Sequence, residues 1–487
     1  MISGSRLARR HGLLKWRNLC CRCYSEAPLR PPQEWLEGKP VRGQWDSDEN
    51  SPEQHERTLL QRRRVFSGIQ PTGVPHLGNY LGALRQWKLL HDSSANTKLL
   101  GDTKHDQFFS VVDLHALTSS DVPGHVRRQL RRESYASLMA IGLQNTQQTT
   151  LFFQSDVTAH TELMWILSTI ASTGYLSRMT QWKSKLNLSD DADLHSDEAT
   201  AKLKLGLFSY PVLQAADILL YQATLVPVGA DQLQHIEFAR SLARSFNSHV
   251  RSRPESGGNV FRVPWPALSA AQRIMSLKRP TQKMSKSDPD PKSRILITDT
   301  REEIHAKIKG AVTDSEPGIS YDIDKRPGVS NLVDILRNVT SLSLAPEAIA
   351  KDLENMTMRA FKEMVADNVC QCLEGVHDRF EELMDPSNQT LNIEAEEGAK
   401  KARRVAIRTM RSVKNSLGLE SFCASSNMWD REMIRESGTD NTIAEDSNTT
   451  IRYITTKEGT ADAIQEALAG LNKQSSQVDE PETTKPQ

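Results

Sequence analysis

The chain is 487 residues long, enough for several domains and an ample core. With 38% hydrophobic and 25% charged residues it has a globular make-up. No apolar run approaches the length of a membrane-spanning helix, and six cysteines in so long a chain exclude a disulfide scaffold. Lys+Arg and Asp+Glu both total 61, so no global charge marks a nucleic-acid binder, but the balance is uneven. Arg6, Arg9, Arg10, Lys15, Arg17 and Arg22 fall in the first 25 residues, which contain no acid.

That opening segment has the composition of a mitochondrial transit peptide. Arg22-Cys23-Tyr24-Ser25 suits a matrix-peptidase cut after Tyr24, giving a transit peptide over 1–24 and a location in the mitochondrial matrix. A basic arm that binds RNA has the same composition. Cleavage would remove Cys20, Cys21 and Cys23. Cys370, Cys372 and Cys423 remain, which is too little for a zinc site, and no metal site is expected. Residues 25–64 are polar, rich in Pro, Gln, Glu and Arg, and aperiodic, so they read as a disordered linker.

Ordered structure is expected from Val65. Residues 64–70 read as a strand, and a helix follows from Gly78 to about His91. Phe108 to Asp113 is a strand of the buried type, with no alternation. A helix capped by Asp121-Val122-Pro123 runs to about Leu143, and Leu151 to Gln154 is another strand. Helical patterns cover 158–172 and 176–188. A long helical pattern over 200–220 is interrupted by Pro211, Leu225 to Val228 is a strand, and a helix covers 231–247. This alternation predicts an α/β fold with a parallel sheet covered on both faces, and ligands at the carboxyl ends of its strands. From about 300 to 420 strand signals stop, and helices are expected at 300–312, 331–342, 346–355, 358–383 and 391–417. Residues 421–487 form a polar, largely disordered extension.

Two short motifs carry chemistry. Lys283-Met284-Ser285-Lys286-Ser287, followed by Asp288-Pro289-Asp290-Pro291, is a cationic loop with small hydroxyls. Lysines on such a loop can close on the charge that spreads over phosphate oxygens during nucleotidyl transfer. Pro71-Thr72-Gly73-Val74-Pro75-His76-Leu77-Gly78-Asn79 follows a strand and opens a helix. His76 and Asn79 can face one ligand there, Gly78 lets a nucleotide approach the backbone, and the helix N-terminus favours phosphate. Taken singly, the first motif also suits a solvated surface loop and the second a turn and cap.

Together they resemble the two signatures of class I aminoacyl-tRNA synthetases. His76-Leu77-Gly78-Asn79 is similar to the HIGH tetrapeptide, and residues 283–287 match KMSKS without change. The wider resemblance is to tryptophanyl-tRNA synthetases. It is carried by Phe66-Ser67-Gly68-Ile69-Gln70-Pro71-Thr72-Gly73, Val112-Asp113-Leu114-His115-Ala116, the stretch from Tyr210 to Tyr221, Val226-Pro227-Val228-Gly229 with Asp231-Gln232, Arg273-Ile274-Met275-Ser276-Leu277, and Pro327-Gly328-Val329-Ser330-Asn331-Leu332. Its extent is about 65–420. With the basic leader it points to the mitochondrial form. Ala230 departs from the family's usual Glu. Gln214 departs from the usual Met and is shared with tyrosyl-tRNA synthetases, whose Gly-Gly-Ser segment is absent.

The resemblance implies a Rossmann-like catalytic domain over 65–295 with a helical insertion about 121–205, and an all-helical anticodon-binding domain over 296–420. It implies ATP-dependent activation of L-tryptophan and its transfer to tRNA(Trp) by a homodimer, with Mg2+ accompanying ATP and pyrophosphate and no structural metal. Lys283, Lys286, Ser287, His76 and Asn79 would act in catalysis. Gln70, Pro71, Thr72, Gly78, Asn79, Gly229, Ala230, Asp231, Ile274 and the loop 283–287 with Met284 and Ser285 would bind ATP. Asp217 would accept the indole N–H, a donor with no acceptor capacity. Phe66, Val112, His115, Val226 and Val228 would wall the pocket, with Gln214 beside the indole and Tyr210 and Gln232 holding the amino-acid head. A site that hydrogen-bonds its substrate rejects analogues lacking the group, so no editing domain is expected. Two further rivals are a cofactor adenylyltransferase and a non-enzymatic RNA-binding relative. The basic residues of the last helix, Lys400, Lys401, Arg403, Arg404, Arg408, Arg411 and Lys414, suit either a solvated face or tRNA phosphates.

Overall fold

The structure, a computed structural model, describes residues 64–95, 106–118, 121–186, 188–189, 201–251, 259–268, 273–342 and 344–419. The expected transit peptide, nearly all of the linker, Cys423 and the C-terminal extension lie outside the described residues.

Five parallel strands form one sheet in the order β3-β2-β1-β4-β5. β1 (Arg64–Ile69) leads into α1, which opens at Leu77–Asn79, widens to a π-helical turn over Tyr80–Leu84 and continues as Arg85–Ala95. β2 (Asp106–Val111) follows, then the short α2 (Asp113–Ala116), α3 (Gly124–Ala140) and β3 (Thr149–Phe153). α4 (Ala159–Ser168), α5 (Thr173–Ser177) and α6 (Thr180–Lys185) precede α7 (Leu205–Leu220), β4 (Leu225–Val228), α8 (Leu233–Arg251) and β5 (Trp265–Leu268). β5 is four residues long and contains Pro266, a combination that hides a strand from sequence reading. α7 runs through Pro211, which sequence reading expects to interrupt it; the proline is buried among apolar neighbours within the first turns. The span 121–205 contains α3 and the edge strand β3 as well as α4, α5 and α6.

The chain order reverses between β1, which winds outward to β2 and β3, and β4, which winds outward to β5. A crevice opens at such a reversal, beyond the carboxyl ends of the strands. Both chemistry-bearing loops that leave this pair, Gln70–His76 and Gly229–Gln232, start there.

Neighbouring residues of β2 serve opposite faces, as a strand's alternation requires. Phe109 joins a core with Leu84, Trp87, Tyr135 and Leu151, whereas Phe108 joins one with Leu163, Leu167, Tyr221 and Phe246. Beyond β5 the regular elements are helical: α9 (Arg301–Lys309), α10 (Pro327–Thr340), α11 (Pro346–Asp352), α12 (Met358–Cys372), α13 (Val376–Met384) and α14 (Thr390–Leu417). The expected helix 358–383 is two, broken where Gly375 adopts φ 70°. The first core continues into α10 and α12 through Val329, Leu332, Leu336 and Phe361.

α14 does not stay with the other helices. It lies along β3, and a Cβ on its Gly398 would stand 1.8 Å from the Leu151 carbonyl oxygen. Its small-residue face, Ala402, Ala406, Met410 and Val413, is buried in the second core. Much of its basic face is tied to the chain itself. Lys401 donates to the Thr146 carbonyl (3.3 Å), Arg403 to that of Asp156 (2.8 Å), and Lys414 pairs with Glu162 (2.6 Å). Lys400 pairs with Glu396 at 2.9 Å.

Candidate active site

At one end of the crevice the two sequence motifs meet. His76 caps α1: its Nδ1 accepts the Asn79 backbone N–H (3.3 Å), while Asn79 Oδ1 accepts the His76 N–H (3.2 Å). With Nδ1 used as an acceptor, the ring proton sits on Nε2. Burial, then the nearby Lys286, Lys283 and Arg294, push the His76 pKa down to about 4. The imidazole is therefore neutral at physiological pH and presents one donor.

The segment after the lysine loop is stitched to this cap. Leu77 N–H bonds the Ile295 carbonyl (2.8 Å) and Ile297 N–H bonds that of Pro75 (3.1 Å). Lys286 then reaches across. Its Nζ donates to the Thr72 hydroxyl (2.9 Å), the Gly73 carbonyl (2.9 Å) and the Thr72 carbonyl (3.2 Å). Burial lowers the Lys286 pKa to about 8, with Arg294 adding and Glu133 opposing. Lys283 is exposed, and the Ser285 and Ser287 hydroxyls bond each other at 2.8 Å. Arg294 donates to the Asp288 carbonyl (2.8 Å) and was not anticipated from the motif. The result is a cluster of cations around the start of a helix, suited to polyphosphate.

Gly78 faces Ile274: a Cβ there would lie 3.5 Å from that of Ile274 and 3.0 Å from the His76 ring. The Ile274 and Met284 side chains, each 2% exposed, belong to the core rather than to an open surface. On the β4 side, Gly229 is exposed, and Asp231 accepts from Gln232 Nε2 (3.0 Å). Gln181 of α6 donates to the Asp231 carbonyl at 2.7 Å, a contact no motif announced.

The other end is a buried polar nest. Asp217, on α7, is 1% exposed and its carboxylate receives three side chains. Gln154 Nε2 donates to Oδ1 (2.8 Å) and Oδ2 (2.9 Å), His160 Nδ1 lies 2.6 Å from Oδ1, and His115 Nε2 lies 2.9 Å from Oδ2. Burial alone would raise the Asp217 pKa. The electrostatic attraction and hydrogen bonds of the His160 and His115 ring N–H groups outweigh it and hold the pKa at about 2, so the group is a carboxylate. Tyr210 donates its hydroxyl proton to Gln181 Oε1 (2.8 Å) and accepts from His235 Nε2 (2.8 Å). Gln214 reaches Gln232 at 3.3 Å, and the His115 ring stands edge-on to Tyr210.

The residues expected as a pocket therefore gather at the ends of β1, β2, β4 and α7. Val112 and Val226 are buried, and Val228, Gln214 and Gln232 are half-buried. Phe66 turns its ring against Tyr221, stacked at 5.6 Å. Gly68 is needed beneath them, since a Cβ would stand 2.8 Å from Val112 Cγ1. Sequence reading missed Gln154, His160, Gln181 and His235. For His160 a signal existed: it stands three and seven residues before Leu163 and Leu167, on the apolar face of α4.

Comparison with known proteins supplies the family. A family profile described as tRNA synthetases class I (W and Y) matches residues 60–374. The mitochondrial tryptophan–tRNA ligase of Schizosaccharomyces pombe is 44% identical over 369 residues, 75% of this chain and 98% of that protein. The mitochondrial tryptophan–tRNA ligase of Saccharomyces cerevisiae is 40% identical, over 74% of this chain and 92% of its own. Among solved structures, tryptophanyl-tRNA synthetase from Campylobacter jejuni complexed with ADP and tryptophan superposes with a TM-score of 0.56 and 29% identity, covering 73% of this chain and all of that one.

Proposed function

The chain belongs to the class I tRNA synthetases of the tryptophan and tyrosine group, and from that membership we propose how its residues perform the reaction. The activity is ATP-dependent activation of tryptophan and its transfer to tRNA(Trp), in mitochondria. The tryptophan carboxylate attacks the α-phosphorus of ATP in line. A bond forms between a carboxylate oxygen and the α-phosphorus, the bond from that phosphorus to the α,β-bridging oxygen breaks, and pyrophosphate leaves. The nucleophile is already ionised, so positioning and charge stabilisation do the catalysis. The terminal adenosine 2′-hydroxyl of tRNA then takes the tryptophanyl group and AMP leaves.

One observation supports this reading above the rest: Lys286 lies on Thr72 and Gly73, so a cation of the lysine loop sits on the turn that opens α1. The oxygens that now hold its ammonium occupy the role of phosphate oxygens. Lys283 and Lys286 stabilise the leaving pyrophosphate. His76 offers Nε2–H to a phosphate, with Asn79 fixing the ring, and Gln70 at the same loop. Residues 229–231 take the nucleoside, and Tyr210 and Gln232 the amino-acid head. Asp217 accepts the indole N–H. Mg2+ would arrive on the nucleotide. Among the described residues no group of three or more His, Cys, Asp or Glu is placed to hold a metal ion.

The matrix is the proposed compartment, with residues 1–24 as the address. The helical region contacts the tRNA anticodon, using the part of α14 not engaged with β3 and α4. We propose a homodimer. Exposed Leu117 and Leu205, 53% and 78% accessible, lie on adjoining segments, where Gly206 meets Thr118, and Trp165 is 74% exposed on α4. Exposed apolar groups of this size favour an interface. Among the described residues no helix is long and apolar enough to cross a membrane.

Amino-acid-dependent ATP–pyrophosphate exchange tests the reading. Exchange with tryptophan and not tyrosine is expected. Exchange with tyrosine would overturn the choice of amino acid, and exchange with neither would overturn the activity.

A further inference from the structure

Asp217 presents a problem of valence. Each carboxylate oxygen accepts about two hydrogen bonds, and both are already filled. Oδ1 holds Gln154 and His160, and Oδ2 holds Gln154 and His115. An indole N–H can enter only by displacing one donor. Gln154 and His160 are both fully buried, whereas the His115 side chain keeps 9% of its surface. His115 also lies edge-on to Tyr210, on the side of the amino-acid head. The donor that yields is therefore His115, whose Nε2–H is chemically close to an indole N–H.

What holds the carboxylate during that exchange is His160. The Tyr221 hydroxyl lies 2.9 Å from His160 Nε2. Burial, and secondarily the charge of Asp217, keeps the Tyr221 phenol protonated. Asp217 is ionised and can only accept, so His160 Nδ1 carries the ring proton and donates to Oδ1, and in the neutral ring Nε2 accepts from the Tyr221 hydroxyl, which holds that tautomer. Tyr221 is in turn clamped by Phe66 and Phe108, stacked at 5.6 and 4.7 Å. A rigid aromatic core thus holds a histidine tautomer, and the tautomer holds a carboxylate.

We propose that His160 is the positioning residue for indole recognition: locked by Tyr221, it holds Asp217 in place while the substrate N–H replaces that of His115 on Oδ2. This rests on the reading of Asp217 as the indole acceptor. The consequence is specific. Loss of His160 weakens recognition of the N–H and leaves the rest of tryptophan binding in place.

The test uses the whole protein in pyrophosphate exchange with two substrates, tryptophan and β-(benzothiophen-3-yl)alanine, in which sulfur replaces the indole N–H. The readout is the ratio of their kcat/KM values. His160→Leu is expected to lower that ratio by about tenfold to a hundredfold, through a raised KM for tryptophan with little change for the sulfur analogue. His160→Asn, which keeps a donor near Nδ1, should restore most of it. Asp217→Asn is the reference. If it lowers the ratio and His160→Leu does not, the proposal fails and the reading of Asp217 stands. If Asp217→Asn leaves the ratio unchanged, that reading fails and the proposal with it. Should His160→Leu not fold, Tyr221→Phe removes only the lock: a lowered ratio supports the proposal, and an unchanged one overturns it.

Discussion

The two ends of the crevice are built on opposite principles. At the proposed nucleotide end, charged side chains lie on loops, partly open to water, and reach backbone and hydroxyl oxygens, as Lys286 does on Thr72 and Gly73. At the proposed tryptophan end, the charge is 1% exposed and satisfied by Gln154 and His115, just past β3 and β2, and by His160 of α4. Polyphosphate brings its own strong charge, so a loop of cations can find it and follow it as charge moves. An indole offers one weak donor, so discrimination requires an acceptor fixed before the ligand arrives. The first arrangement separates chemistry from stability, and the second makes them inseparable.

The largest effect that would sharpen this contrast is on stability. Asp217→Ala leaves His115, His160 and Gln154 without their buried acceptor and should cost about 3–5 kcal/mol, read by denaturant unfolding. A loss below about 1 kcal/mol would place Asp217 with the surface charges and break the comparison. Lys286→Ala should lower exchange by about 10²–10³-fold while unfolding at nearly the same denaturant concentration as the parent, because its ammonium is only half-buried.

Acid adds a smaller effect. His76 has a folded pKa of about 4 against an ordinary 6.5. Between these values the unfolded chain binds the proton and the folded chain does not. Stability from this group is thus complete above pH 6.5 and falls as pH drops toward 4. The expected loss between pH 6.5 and 5 is about 1–2 kcal/mol, and it should vanish in His76→Asn, which keeps an acceptor for the cap. The last effect is alkaline. With Lys286 at about 8, kcat/KM for ATP should fall above pH 8, approaching tenfold per unit, and Lys286→Arg should shift the fall upward. A flat profile to pH 10 would show that Lys286 is not the group reporting.

How much of this was legible in the sequence follows the same division. The nucleotide end was legible because it is local: residues 76–79 and 283–287 are contiguous runs whose composition states their chemistry. Four of the five strands were legible as unalternating apolar runs. β5 was not, being short and proline-bearing, nor was the π-helical turn at Tyr80–Leu84, which leaves no mark on an apolar periodicity. The nest around Asp217 was half legible. Asp217, Tyr221 and His115 fell within recognisable runs, but Gln154 and His160 join Asp217 only through the winding of the sheet, across 57 to 63 residues. α14 misleads for a related reason. Its alternating small and basic faces describe a solvated helix equally well, and only packing shows that Gly398 admits the Leu151 carbonyl.

The division between the two ends is tested most directly by tryptophan binding to the Lys286→Ala protein, measured by isothermal titration without ATP. The account predicts the parent's dissociation constant within about twofold alongside the lost exchange, because the indole acceptor is set by His160 and Tyr221, not by the loop. A dissociation constant that rises together with the loss of exchange would contradict it, and would mean that the cationic loop shapes the tryptophan site itself.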